Sequence, residues 1–92
     1  MVIASISNYQ QGAIIMKIEI YGAEWCGYCK QAKSLCESKA VQFDYIDVDD
    51  TTNLRELETR LGFKAKTVPQ IFIDGALLAG GYSGLQRELA NN

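Results

Sequence analysis

The chain has 92 residues, 48% of them hydrophobic, and nine Lys and Arg against eleven Asp and Glu give a net charge of −2. That length supports one domain with a modest core, and interspersed charges of both signs offer no basic face to a nucleic acid or an anionic membrane. With no run near the roughly 18 apolar residues of a spanning helix, a soluble protein with neither nucleic acid nor membrane partners is expected.

Residues 1–15, MVIASISNYQQGAII, are uncharged and lack the positive start of a secretory signal. They are read as an N-terminal extension of unknown structure, an upstream addition or an extra edge strand, which leaves residues 16–92 as the domain. From Met16 onward the apolar period alternates between two values. In KIEIYG, Ile18 and Ile20 alternate with Lys17 and Glu19 and the run stops at Gly22, which predicts a strand. Cys29, Ala32 and Cys36 then recur at helical spacing, so a helix from about Gly27 to Lys39 turns them inward and leaves Lys30, Lys33 and Glu37 to water. VQFDYIDV restores the aromatic and β-branched mix of a strand.

A second helix is predicted from Asn53 to Leu61, with Leu54, Leu57 and Leu61 on one stripe, Asn53 and Glu56 at capping distance and Gly62 as the stop. PQIFIDGALLAGG reads as two short antiparallel strands joined by a tight turn at Asp74-Gly75. Ser83 followed by Gln86 has the spacing of a capping box ahead of a last helix that carries Leu85 and Leu89. The order is βαβαββα. A helical crossover makes the first two strands parallel, whereas the terminal hairpin is antiparallel. The predicted fold is therefore α/β and thioredoxin-like, a four-stranded mixed sheet flanked by three helices.

There are three cysteines and no histidine. Imidazole-dependent catalysis and every zinc site that needs a histidine are thereby excluded. Cys26 and Cys29 form a C-x-x-C pair at the start of a predicted helix. A structural bridge across so short a loop constrains the unfolded chain very little, and a closed zinc site needs four ligands. A redox dithiol is the reading that a C-x-x-C beside a βαβ pattern favours. At a helix mouth, unpaired N–H groups and the positive end of the dipole stabilise a thiolate, and such settings lower a cysteine from its usual value of about 8.5. Cys26 is thus expected to be exposed to attack and Cys29 to resolve. Cys36, on the inward stripe, reads as a small core residue, with a regulatory thiol as the alternative. The small number of cysteines fits a reducing, cytoplasmic setting.

From Lys17 to Leu89 the chain resembles the glutaredoxins. The likeness rests on CGYC at 26–29 with Lys30 following, TVPQIFI at 67–73, the DG of the hairpin, and GGYSGL at 80–85. The resemblance implies a glutathione-dependent thiol–disulfide oxidoreductase with Cys26 as nucleophile and Cys29 completing a dithiol cycle. It implies no bound cofactor, glutathione as co-substrate, and protein disulfides as partners, ribonucleotide reductase among them, with the chain acting as a monomer. It also implies a cis Val68-Pro69 bond. Thr67 and Val68 would then contact glutathione, with Pro69 beside them, Tyr28 lining the groove and Lys66 drawing in the glycyl carboxylate. Lys64 reads equally as a solvated loop charge.

By the same resemblance Gly81, Tyr82 and Ser83, ahead of the last helix, hold the glutamyl carboxylate. The chain departs from the family's pattern in having Gly84 where an acidic residue often follows, Gly27 before Tyr28 in place of proline, and Ala23 in place of a basic residue. Trp25 before the nucleophile is similar to a thioredoxin and implies an alternative, a thioredoxin-like reductant recycled by a flavoprotein reductase. A further alternative is a carrier of a [2Fe-2S] cluster, in which two subunits each offer Cys26 and two glutathiones complete the thiolates.

Overall fold

A computed structural model describes residues 16–90, and the extension expected at residues 1–15 lies outside them. The alternation around Ile18 becomes the strand β1 (Ile18–Gly22), followed by α1 (Gly27–Ser38), β2 (Phe43–Asp47), α2 (Thr51–Leu61), β3 (Gln70–Ile73), β4 (Ala76–Leu77) and α3 (Gly81–Ala90). The sheet order is β2-β1-β3-β4. β1 runs parallel to β2, and its other edge pairs antiparallel with β3, which hairpins into β4. This is the predicted mixed sheet. Asp74 and Gly75 have φ of 53° and 86°, the left-handed pair that a two-residue hairpin turn needs.

Because successive side chains on a strand point to opposite faces, β1 serves two cores. Ile18 and Ile20, with Ile71 of β3, meet Ala32 and Cys36 of α1 and Leu85 and Leu89 of α3. On the other face Tyr21 and Phe72 meet Leu57 of α2 and Val48, and their rings pack edge-on with centroids 5.7 Å apart. Burying each of these large side chains contributes about 1.5–3 kcal/mol relative to exposure, so the stripes of α1 and α2 hold the sheet from both sides. Arg60 closes the α2 face. Its guanidinium lies 3.8 Å from the Phe72 ring centroid, forms a forked pair with Glu19 at 3.1 and 3.2 Å, and donates to the Tyr21 hydroxyl at 2.9 Å.

Two helix starts differ from expectation. α2 begins at Thr51, because the Asp50 carboxylate accepts from the backbone N–H groups of Thr52 and Asn53 at 2.8 and 3.2 Å and so takes the capping position. The Asn53 amide instead donates to the Asp47 carbonyl at 2.9 Å. α3 begins at Gly81, which places Tyr82 and Ser83 inside its first turn, so Ser83 is not a cap. α1 ends at Ser38 with Lys39 as its C-cap, and Lys33 lies against the Tyr45 ring, 5.3 Å from its centroid.

Candidate active site

β1 ends at Gly22 and the chain turns through Ala23, Glu24 and Trp25 into α1, a turn closed by the Cys26 N–H donating to the Ala23 carbonyl at 3.1 Å. Cys26 is thereby the N-cap of α1, with extended backbone at φ −97° and ψ 114°. Its sulfur takes the place of the usual serine or aspartate oxygen and accepts the Cys29 N–H at 3.2 Å. The same sulfur lies 3.6 Å from the Val68 carbonyl. Cys26 is only 8% exposed, so the reacting thiol is recessed, contrary to the expectation of an open one; its exposed neighbours Trp25 (70%) and Tyr28 (62%) form the rim. The Trp25 indole is held by donating to the Asp49 carboxylate at 3.0 Å.

Cys29 and Cys36 are fully buried. Burial, with the neighbouring Cys26, pushes the Cys29 thiol up to about 12, while the Ala23 backbone and the Tyr45 hydroxyl pull it the other way. Burial and then the Glu37 charge push Cys36 up to about 11. Both hold their protons in neutral water. Of the pair, the Cys26 sulfur is the one that a helix amide faces, at the positive end of the α1 dipole. Gly22 makes the close approach of Cys29 to β1 feasible, since a Cβ there would lie 2.9 Å from the Cys29 sulfur and 2.8 Å from the Tyr45 hydroxyl.

Beside the helix mouth runs a groove of about 480 Å³. It is lined by Tyr28 from α1, by Thr67, Val68 and Pro69 ahead of β3, and by Gly81, Tyr82 and Ser83 at the start of α3. The Val68-Pro69 bond is cis, as expected. Tyr28 and Tyr82 converge from the two helices with ring centroids 5.9 Å apart. Gly81, at φ 53°, lets the start of α3 approach the Pro69 carbonyl, which a Cβ would meet at 3.3 Å. Lys66, next to Thr67 in the chain, lines an adjoining depression of about 350 Å³ with Phe63 and Lys64, and this depression shares Thr67 and Gln70 with the groove. Gly84 is buried, and an added Cβ would overlap the Ala79 carbonyl, so this backbone has no room for an acidic side chain there.

Sequence reasoning did not single out Gln70, Leu77, Leu78 and Ala79 as groove walls, nor Tyr45 as a neighbour of Cys29. Gln70 follows Pro69 directly, and its amide donates to the Thr67 carbonyl at 2.8 Å, fixing the loop. An apolar LLA run leaving a two-residue strand was the available signal for the far wall, and Leu77 is indeed exposed.

A dithiol at a helix mouth, on a mixed sheet of this order, defines a thiol–disulfide oxidoreductase of the thioredoxin superfamily. Within that class the chain belongs to the glutaredoxin family, whose model matches residues 18–78. It is similar to Glutaredoxin 3 of Escherichia coli strain K12, 41% identical over 63 residues that span 68% of this chain and 75% of the relative. Among solved structures it is similar to Glutaredoxin 1 of Francisella tularensis, crystallised with cacodylate, at a TM-score of 0.65 and 32% identity, covering 84% of this chain and 99% of that one. The buckwheat glutaredoxin–glutathione complex shares the fold at a TM-score of 0.63 and 23% identity, covering 80% of this chain and 68% of that one. None of the described helices is long and apolar enough to cross a membrane.

Proposed function

We propose that the protein is a glutathione-dependent oxidoreductase that reduces protein disulfides and glutathione mixed disulfides, acting as a cytoplasmic monomer. The Cys26 thiolate attacks one sulfur of the substrate disulfide, a mixed disulfide forms, and the other sulfur leaves as a thiolate. Cys29 then displaces the bound thiol to close the Cys26–Cys29 disulfide, or a glutathione thiolate attacks the mixed disulfide and frees Cys26. Two glutathiones supply the two electrons of a full cycle and leave as their disulfide.

One observation carries this reading: Val68 lines the groove and its carbonyl also touches the Cys26 sulfur. A ligand laid along the groove therefore brings its own sulfur to the reacting atom. Val68 precedes β3, which begins at Gln70, so its backbone is outside the sheet ladder and suited to pairing with an extended tripeptide. The first-turn amides of α3 at Gly81, Tyr82 and Ser83 suit a carboxylate, and Lys66 with Thr67 suits the other. The glutathione bound by the buckwheat protein of the same fold supports the assignment.

The test is to incubate the Cys29→Ser variant with oxidised glutathione and weigh the intact protein. A single glutathionyl adduct mapped to Cys26 is expected. Modification confined to Cys36, or none at all, refutes the assignment.

A further inference from the structure

Dithiol exchange puts negative charge on Cys29 at two moments. It attacks as a thiolate when it closes the internal disulfide, and it leaves as one when an external thiolate attacks the Cys26 sulfur of that disulfide. Cys29 is fully buried, so bulk water does not surround that charge. An uncompensated charge in such a place costs several kcal/mol, so the fold must supply donors if the step is to proceed.

One donor stands close by. The Tyr45 hydroxyl and the Cys29 sulfur crowd the same small space over Gly22, 2.8 and 2.9 Å from the position its Cβ would take. The hydroxyl draws the Cys29 thiol toward its charged form, and the sulfur in turn raises the phenol. In the dithiol state the Tyr45 hydroxyl rests on the Ala23 carbonyl at 3.2 Å, long for a hydroxyl donor. Its proton is thus held loosely and is free to turn toward sulfur. The phenol is itself pushed up to about 12, by burial first and then by the nearby Cys29 and Glu24, so it stays a donor through neutral pH. The other charged groups facing the pair are Cys26, from the helix mouth, and Lys33 of α1, over the Tyr45 ring.

We propose that the Tyr45 hydroxyl turns to the Cys29 sulfur and stabilises its thiolate, which makes Tyr45 a further catalytic residue of the dithiol exchange. It acts as a donor of an oxyanion hole does, standing where charge develops. In the closing step the Cys29 thiol first gives its proton to solvent. Its sulfur then forms the S–S bond to Cys26, and the substrate thiolate leaves with the electron pair of the broken bond. In the opening step an external thiolate bonds to the Cys26 sulfur, the Cys26–Cys29 bond breaks, and the pair of electrons stays on Cys29 under the Tyr45 hydroxyl until water protonates it. The inference rests on Cys26 as nucleophile and Cys29 as its internal partner, but not on glutathione.

The test is stopped-flow reaction of the full-length reduced chain with an aromatic disulfide that releases one yellow nitrothiobenzoate per exchange. Cys26 releases the first equivalent and Cys29 the second. Tyr45→Phe keeps the ring and removes the hydroxyl. It should slow the second phase by about ten-fold, the worth of one hydrogen bond to a charged group, and move its pH profile to higher pH, with the first phase unaltered. In a Cys29→Ser background the substitution should have no effect. An unchanged second phase overturns the proposal, as does an equal slowing of both phases, which marks a merely structural role. A wild-type chain with no Cys26-dependent burst would overturn the nucleophile assignment and this proposal with it.

Discussion

Gly22→Ala tests the packing that brings Cys29 against the sheet. An added methyl carbon would lie 2.8 Å from the Tyr45 hydroxyl and 2.9 Å from both the β-carbon and the sulfur of Cys29. The strand cannot withdraw, because Gly22 is paired with Asp47 and its carbonyl accepts the Val48 N–H at 2.9 Å. Cys29 and Tyr45 must give way instead, and overpacking of this kind costs about 1–3 kcal/mol. In a domain of this size each kcal/mol lowers Tm by roughly 4–8 °C. Gly27→Ala is the control. It is the same chemical change five positions along the chain, at the first residue of α1, where an added Cβ meets nothing within 4 Å. Alanine in place of glycine there should stabilise by up to about 0.5–1 kcal/mol. The assay is urea unfolding of the reduced proteins, with midpoints compared at constant slope. A cost below about 0.5 kcal/mol for Gly22→Ala, or shifts of the same sign in both variants, would refute the close-approach argument.

Iodoacetamide at neutral pH should add a single label to the reduced native chain, at Cys26, since Cys29 and Cys36 are fully buried; intact mass and peptide mapping decide. Ala40 sits in the left-handed region at φ 56° at the end of α1, where the Val41 and Ala40 N–H groups return to the Cys36 and Glu37 carbonyls. Ala40→Gly should therefore raise stability by about 1 kcal/mol in thermal unfolding. Arg60→Ala should cost about 1–2 kcal/mol by removing the ring stacking and the forked pair together, and Arg60→Lys should recover little of it for want of the planar fork. Cys29, Cys36 and Tyr45 hold their protons up to about 12, 11 and 12 in the fold, whereas unfolded cysteine and tyrosine lose them near about 8.5 and 10. The native state binds more protons in that interval, so stability should be full below about pH 8.5 and fall as pH rises toward 12. Unfolding midpoints that stay level from pH 8 to 11 would contradict those shifts.

Short-range pattern by itself determined much of this protein. The alternation of Ile18 and Ile20, the helical spacing of Cys29, Ala32 and Cys36, and Asp74-Gly75 each act over a few residues, and β1, α1 and the hairpin follow from them. The helix starts were less legible because several good caps compete within one turn. Asp50 and Asn53 can each cap α2, and only the acceptance of the Asn53 amide by the Asp47 carbonyl leaves the position to Asp50. At α3, Gly80 and Gly81 permit an earlier start than Ser83, and contact with the Pro69 loop selects it.

The site divides the same way. Cys26, Tyr28 and residues 67–69 were found through contiguous motifs. Lys66 was grouped with them, and the tertiary structure puts it in the adjoining depression. Tyr45 reaches Cys29 only because β2 pairs beside β1 in the register that sets Tyr45 opposite Ile20. The Leu77–Ala79 wall faces Tyr28 only because β3 and β4 complete the other edge. Local spacing fixes which face a side chain takes, whereas its partners across the fold depend on strand order and register, which arise from the burial of all the elements at once.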